Sequence, residues 1–140
     1  MLFSSLIHPE DEVILIEPFF QYFYFNTIMA KAKLKTYEMI QTNGKWEIDF
    51  EKLESLFTSK TRLIVLNSPH NPTGKVFNAK EIDNFRKILN KFPDVLVLAD
   101  EVYERCIFDK IEFPRIGTYE DMWHRTITII SAGKVINLFS

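Results

Sequence analysis

Leu63-Ile64-Val65-Leu66 runs straight into Asn67-Ser68-Pro69-His70-Asn71-Pro72-Thr73-Gly74-Lys75. Four apolar residues followed by prolines, asparagines and a glycine read as a short buried strand ending in a loop. A strand apolar on both faces belongs in a sheet covered on both sides, which is the habit of parallel sheets. The same grammar recurs along the chain. Residues 95–99 (Val-Leu-Val-Leu-Ala) lead into Asp100-Glu101-Val102-Tyr103-Glu104, and residues 126–130 lead into Ser131-Ala132-Gly133-Lys134. Residues 13–16 are a further apolar, β-branched run after the polar stretch 8–12.

Helical segments alternate with these strands. Pro18 opens residues 19–32, which read as a helix apolar on most sides, and a strand is expected over 34–40 before the turn Asn43-Gly44. Asp49 can cap a short helix with Leu53, Leu56 and Phe57 on one face. Asn78 with Glu81 three residues later resembles a capping box, opening a helix that carries Ile82, Phe85 and Leu89. Strand, helix, strand in succession predicts an α/β fold, with a mostly parallel sheet and crossover helices.

Composition bounds the function. The 140 residues are 46% hydrophobic and 26% charged, with 13 phenylalanines, so one strongly aromatic globular core is expected. The net charge of −2 offers no basic surface for nucleic acid or an anionic membrane. No run is long enough to cross a bilayer, and residues 1–6 lack the basic start and apolar stretch of a signal peptide. The single Cys106 forbids an internal disulfide, argues against a cysteine zinc cluster and suits a reducing compartment. Only four glycines are present, too few for a glycine-rich phosphate cradle within these residues.

In open α/β sheets chemistry collects at the carboxyl ends of the strands. Three apolar runs here end in polar stretches, which would bring an Asn, an Asp, a Tyr, a Ser and a Lys to one edge. Gly74-Lys75 faintly suggests a nucleotide phosphate loop. That motif needs a glycine where Pro69 stands and a hydroxyl residue where Val76 stands, and Pro69 and Pro72 remove amide donors from the cradle. The edge set suits instead a small anionic cofactor with a ring nitrogen, a phenolic oxygen and an aldehyde.

Residues 67–75, 99–104 and 131–134, in that order, resemble the fold-type-I pyridoxal-phosphate aminotransferases of class I/II. Within them the chain is most similar to the kynurenine aminotransferase, cysteine-conjugate β-lyase and glutamine transaminase K branch. Residues 11–20, Lys75-Val76-Phe77 and Trp123-His124-Arg125-Thr126 carry that finer likeness. The resemblance implies that Lys134 is the catalytic Schiff-base lysine and that Asp100 pairs with the pyridine nitrogen of pyridoxal 5'-phosphate. It further implies that Asn71 and Tyr103 donate to the phenolic oxygen, that Phe20 and Val102 contact the two ring faces, and that Ser131 meets the phosphate. The bland alternatives are a solvated surface lysine for Lys134, a helix cap for Asp100, core packing for Phe20, structural or exposed roles for His70 and His124, and solvated or ion-paired Glu101 and Glu104. Cys106 reads as a small buried hydrophobe rather than a nucleophile.

By the same resemblance, residues 1–140 are part of the large cofactor-binding domain, with 135–140 as a divergent tail. The phosphate cup and the small domain then lie outside these residues. The activity implied is transamination of a kynurenine-, glutamine- or aromatic-type amino acid with a 2-oxo acid, with cysteine-S-conjugate β-elimination as the variant within the family. The competing expectation is a truncated, non-catalytic chain that binds the cofactor weakly or not at all. A homodimer in full-length members, a cytoplasmic location with the mitochondrion as alternative, no metal, and no nucleic-acid or membrane partner complete the expectation.

Overall fold

A computed structural model describes residues 2–108 and 110–136. In chain order the elements are α1 (Leu2–Leu6), β1 (Glu12–Glu17), α2 (Gln21–Met29), β2 (Lys33–Glu38), β3 (Ile40–Thr42), β4 (Lys45–Glu47) and α3 (Phe50–Ser55). They continue through β5 (Thr61–Asn67), α4 (Ala79–Leu89), β6 (Leu96–Asp100), a 3-10 turn (Ile116–Thr118), α5 (Glu120–Trp123), β7 (Thr126–Ile129) and α6 (Gly133–Ile136). Five strands form one sheet in the order β2-β1-β5-β6-β7, and each neighbouring pair is parallel.

The apolar runs of β1, β5 and β6 became strands because both their faces find cover, while β7 at the sheet edge is partly exposed. Ile14, Ile16, Ile64, Leu66, Val97 and Ala99 point to one side, into a core with Leu53 of α3, Ile82, Phe85 and Leu89 of α4, and Met122 of α5. Val13, Leu15, Leu63, Val65 and Leu98 alternate to the other side, against Phe3 of α1 and Phe23 of α2. Two layers of helix on a doubly apolar sheet is the arrangement expected from composition. Asp49 caps α3 through the amides of Glu51 and Lys52, and Asn78 and Glu81 complete a reciprocal capping box on α4.

Two expected boundaries move. The helix expected over 19–32 is shorter, because Phe20 stays extended as the residue before α2 and Lys31 takes a positive φ of 57° after it. The strand expected over 34–40 stops at Glu38, where its partner β1 ends at Glu17. Ile40 instead pairs with Glu47 in a separate antiparallel hairpin, β3-β4, whose two-residue turn places Asn43 and Gly44 at φ 50° and 75°. α2 is apolar all round, so covering one side leaves Tyr22, Phe25, Ile28 and Met29 exposed.

The winding order sets the site. The chain leaves β1 toward β2, then returns past β1 to β5 and goes on outward to β6 and β7. The carboxyl ends of β1 and β5 therefore flank a topological switch point, where a crevice opens in folds of this kind. Among the described residues no helix is long and apolar enough to cross a membrane. Residues 137–140, most of the expected divergent tail, lie outside the described residues.

Candidate functional site

The 67–75 loop is built from its own side chains. Asn67 ends β5 opposite Asp100 at the end of β6. Its amide nitrogen donates to the Asp100 carbonyl at 2.9 Å, and its Oδ1 accepts the Asn71 backbone N–H at 2.6 Å. One side chain thus ties the two loops that follow adjacent strands. Gly74 sits at φ 71°, and its N–H donates to the His70 carbonyl at 2.7 Å, so the loop folds back in a conformation glycine adopts without strain. The peptides before Pro18, Pro69 and Pro72 are cis.

His70 is buried at 4% exposure. Nδ1 lies 2.8 Å from Thr73 Oγ1, and the ring also bonds the backbone of Ile16 at the end of β1. Burial first, then the nearby charge of Lys75, push its pKa down to about 4, against the bond to Ile16, so the imidazole is neutral at pH 7. It bridges the two sides of the switch point, a part the sequence does not single out. Because its folded pKa lies below the ordinary 6.5, the unfolded chain takes up a proton first as pH falls. Stability is retained above pH 6.5 and lost progressively down to about pH 4, by an amount on the order of 3 kcal/mol. Urea denaturation across that range should show the loss, and His70→Gln should flatten it; an equally steep acid slope in the variant contradicts the assignment.

Asn71, Asp100, Tyr103 and Lys134 gather along one edge. Asn71 Nδ2 and Tyr103 Oη are 3.5 Å apart. That separation is too long for a strong mutual bond and about right for two donors converging on a third atom. Lys134 Nζ lies 5.6 Å from the Tyr103 ring centroid. Asp100 is 8% exposed, and its Oδ1 has no hydrogen-bond partner among the described residues. Burial raises its pKa from the ordinary carboxylate value, opposed by the Val102 N–H and by the charge of Lys134.

The remaining expected residues are less tightly placed. Phe20 is half exposed, stacked near Tyr22, and lines the crevice between β1 and β5 with Asn67, His70 and Asn71; it is not a core residue. Val102 is half-buried beside Asp100. Ser131 is half-buried and its Oγ accepts the Lys134 backbone N–H at 3.4 Å. His124 is exposed, and Cys106 is half-buried rather than fully so. Glu101 and Glu104 are ion-paired, both to Arg115. An open cleft of about 400 Å³, walled largely by Pro69, Val76, Ile107 and Ile111, adjoins Asn71 and Tyr103. Among the described residues no group of three His, Cys, Asp or Glu side chains is arranged to hold a metal.

A parallel sheet with a polar loop cluster at its switch point defines an α/β domain of the kind that places chemistry at the carboxyl ends of its strands. The family model for aminotransferase class I and II matches residues 1–139, and the chain belongs to that family. It is 42% identical to the kynurenine–oxoglutarate transaminase of Dictyostelium discoideum over 96% of this chain and 34% of that protein. It is 39% identical to human kynurenine–oxoglutarate transaminase 3, over 96% and 31%. Among solved structures, N-succinyldiaminopimelate aminotransferase from Mycobacterium tuberculosis superposes with a TM-score of 0.91 at 36% identity, covering 96% of this chain and 35% of that one. Cystalysin from Treponema denticola, which contains pyridoxal 5'-phosphate, gives 0.91 at 27% identity, over 98% and 36%. The chain spans about a third of the length of the curated relatives it matches.

Proposed function

We propose that this chain carries the ring-binding half of a pyridoxal-phosphate aminotransferase site, acting on an amino acid and a 2-oxo acid. The observation that carries this reading is the buried Asp100 Oδ1 without a partner, beside Asn71, Tyr103 and Lys134. A carboxylate oxygen removed from water and left unpaired is costly, and a protonated ring nitrogen is the partner that would satisfy it. The donor set therefore fits the cofactor's ring.

When bound, pyridoxal phosphate supplies an aldehyde for amines and a ring that takes up electron density from the substrate α-carbon. Asp100 would hold the proton on the ring nitrogen, because a neighbouring anion favours the charged form. Asn71 Nδ2 and Tyr103 Oη would donate to the ring's phenolic oxygen and stabilise its negative charge. Lys134 Nζ would be the amine that holds the cofactor's aldehyde and the base that moves a proton at the substrate α-carbon. Phe20 and Val102 would cover the ring, and the Ser131 hydroxyl would meet the phosphate. The likeness to kynurenine–oxoglutarate transaminases favours kynurenine-type donors and 2-oxoglutarate as acceptor. A homodimer and a reducing compartment such as the cytoplasm follow from the same reading.

The test is to add pyridoxal phosphate, reduce with borohydride and locate the adduct by peptide mass. Label on Lys134, absent in Lys134→Ala, is the expected result. Folded protein that takes up no label, or label spread over surface lysines alike, would refute the reading.

A further inference from the structure

The turn that carries Val102 and Tyr103 follows β6 with no helix or strand of its own to hold it. Its backbone support among the described residues is slight: the Glu101 N–H donates to Ile129 at 2.8 Å, Glu104 to Glu101 at 3.0 Å, and Cys106 to Tyr103 at 2.8 Å. One side chain from further along clasps both ends. Arg115 Nη1 donates to Glu101 Oε2 at 2.7 Å, and Arg115 Nη2 donates to Glu104 Oε2. Glu101 is 3% exposed, so its carboxylate depends on that guanidinium for compensation. Phe113 places its ring 5.4 Å from the same guanidinium. The other cation near Glu104, Arg105, is mostly exposed and 3.8 Å away, too loose to replace it.

We propose that Arg115 is a positioning residue: by pairing with Glu101 and Glu104 at the two ends of the 101–104 turn, it holds the Tyr103 phenol against Asn71. Its link to cofactor chemistry rests on the function proposed above; its hold on the turn does not. The planar fork matters, because two guanidinium nitrogens reach two carboxylates at once and an ammonium on a flexible stem engages one. Arg115→Lys should therefore restore part of what Arg115→Ala loses.

Cys106, the only cysteine, lies just past the turn and reports on it directly. In the purified protein without cofactor, Arg115→Ala should speed disulfide-reagent labelling of Cys106 and amide exchange at Glu104 and Cys106 by about tenfold, with Arg115→Lys between. Exchange in β1 and β5 should not change. Acceleration of less than about threefold, or one shared equally by β1 and β5, would make Arg115 a general stabiliser at most and overturn the proposal. A second arm adds pyridoxal phosphate and follows its visible band. Where wild type binds, Arg115→Ala should bind about tenfold more weakly, and equal binding overturns the positioning role. Where wild type binds none, the functional reading fails, while labelling and exchange still decide what Arg115 does.

Discussion

Asp100→Asn should make the cofactor-free protein more stable and, under the function proposed above, should slow a site that holds the cofactor about 100- to 5,000-fold. Both effects come from one atom. Oδ1 of Asp100 is buried without a partner among the described residues, and burial holds the carboxyl above its ordinary pKa of 3.8. A group whose folded pKa is raised contributes stability while protonated, and loses it as pH climbs from the unfolded value through the folded one. The ionised carboxylate is therefore a burden on the fold when no cation faces it. Asparagine removes the charge, keeps an oxygen for the Val102 N–H, and should raise stability by about 1–2 kcal/mol. Under the function proposed above, the same change would remove the anion that keeps the ring nitrogen protonated. Breaking a buried charge pair costs about 3–5 kcal/mol, which is two to nearly four orders of magnitude in rate. Thermal melts of the empty protein and turnover of the loaded one measure the two halves. A lower melting temperature for Asp100→Asn, or an unchanged rate, would remove the basis for assigning Asp100 to the ring.

The second large effect is structural. Phe85 is 1% exposed in α4 and meets Phe50 and Phe77 edge-on, with centroids 5.1 and 5.2 Å away. Phe85→Ala should cost about 3–5 kcal/mol, the transfer energy of a ring plus a cavity its rigid neighbours cannot close. Phe85→Leu keeps most of the volume and should cost about 1–2 kcal/mol. The loss should also reach the site, since the Phe77 N–H donates to Ser68 Oγ at 3.2 Å in the loop that carries Asn71. Urea midpoints would show the order Ala below Leu below wild type. A cost below about 2 kcal/mol for alanine would mean that the core relaxes around the gap.

Local chemistry made much of this protein legible in advance. The runs at 13–16, 63–66, 95–99 and 126–130 became four neighbouring parallel strands; the first three are covered on both faces as an unbroken apolar run requires, while β7 lies at the sheet edge and stays partly exposed. Asn78 and Glu81 announced α4 through bonds spanning three residues. The motifs at 71, 100–103 and 131–134 follow apolar strands, so parallel pairing necessarily carries them to one edge. The strand end at Glu38 was less legible, because it depends on where β1 stops rather than on the residues of β2. The same holds for Phe20, which stays extended ahead of α2 and half exposed.

The opening stretch shows the division most clearly. Leu63 to Lys75, by composition alone, determined a buried strand, a turn and a polar loop, and hence the fold class and the edge where chemistry sits. Only the tertiary structure decided that Asn67 would tie Asn71 to Asp100, that His70 would be neutral between β1 and Thr73, and that Arg115 would clasp the turn bearing Tyr103. The Asn67–Asp100 and Arg115–Glu101 pairings join separate elements of the chain, 33 and 14 residues apart, and the state of His70 depends on loss of water around its ring. Local sequence encodes periodicity and capping, which act over a few residues. Burial, charge compensation and the meeting of distant side chains arise only once the sheet has closed under its helices.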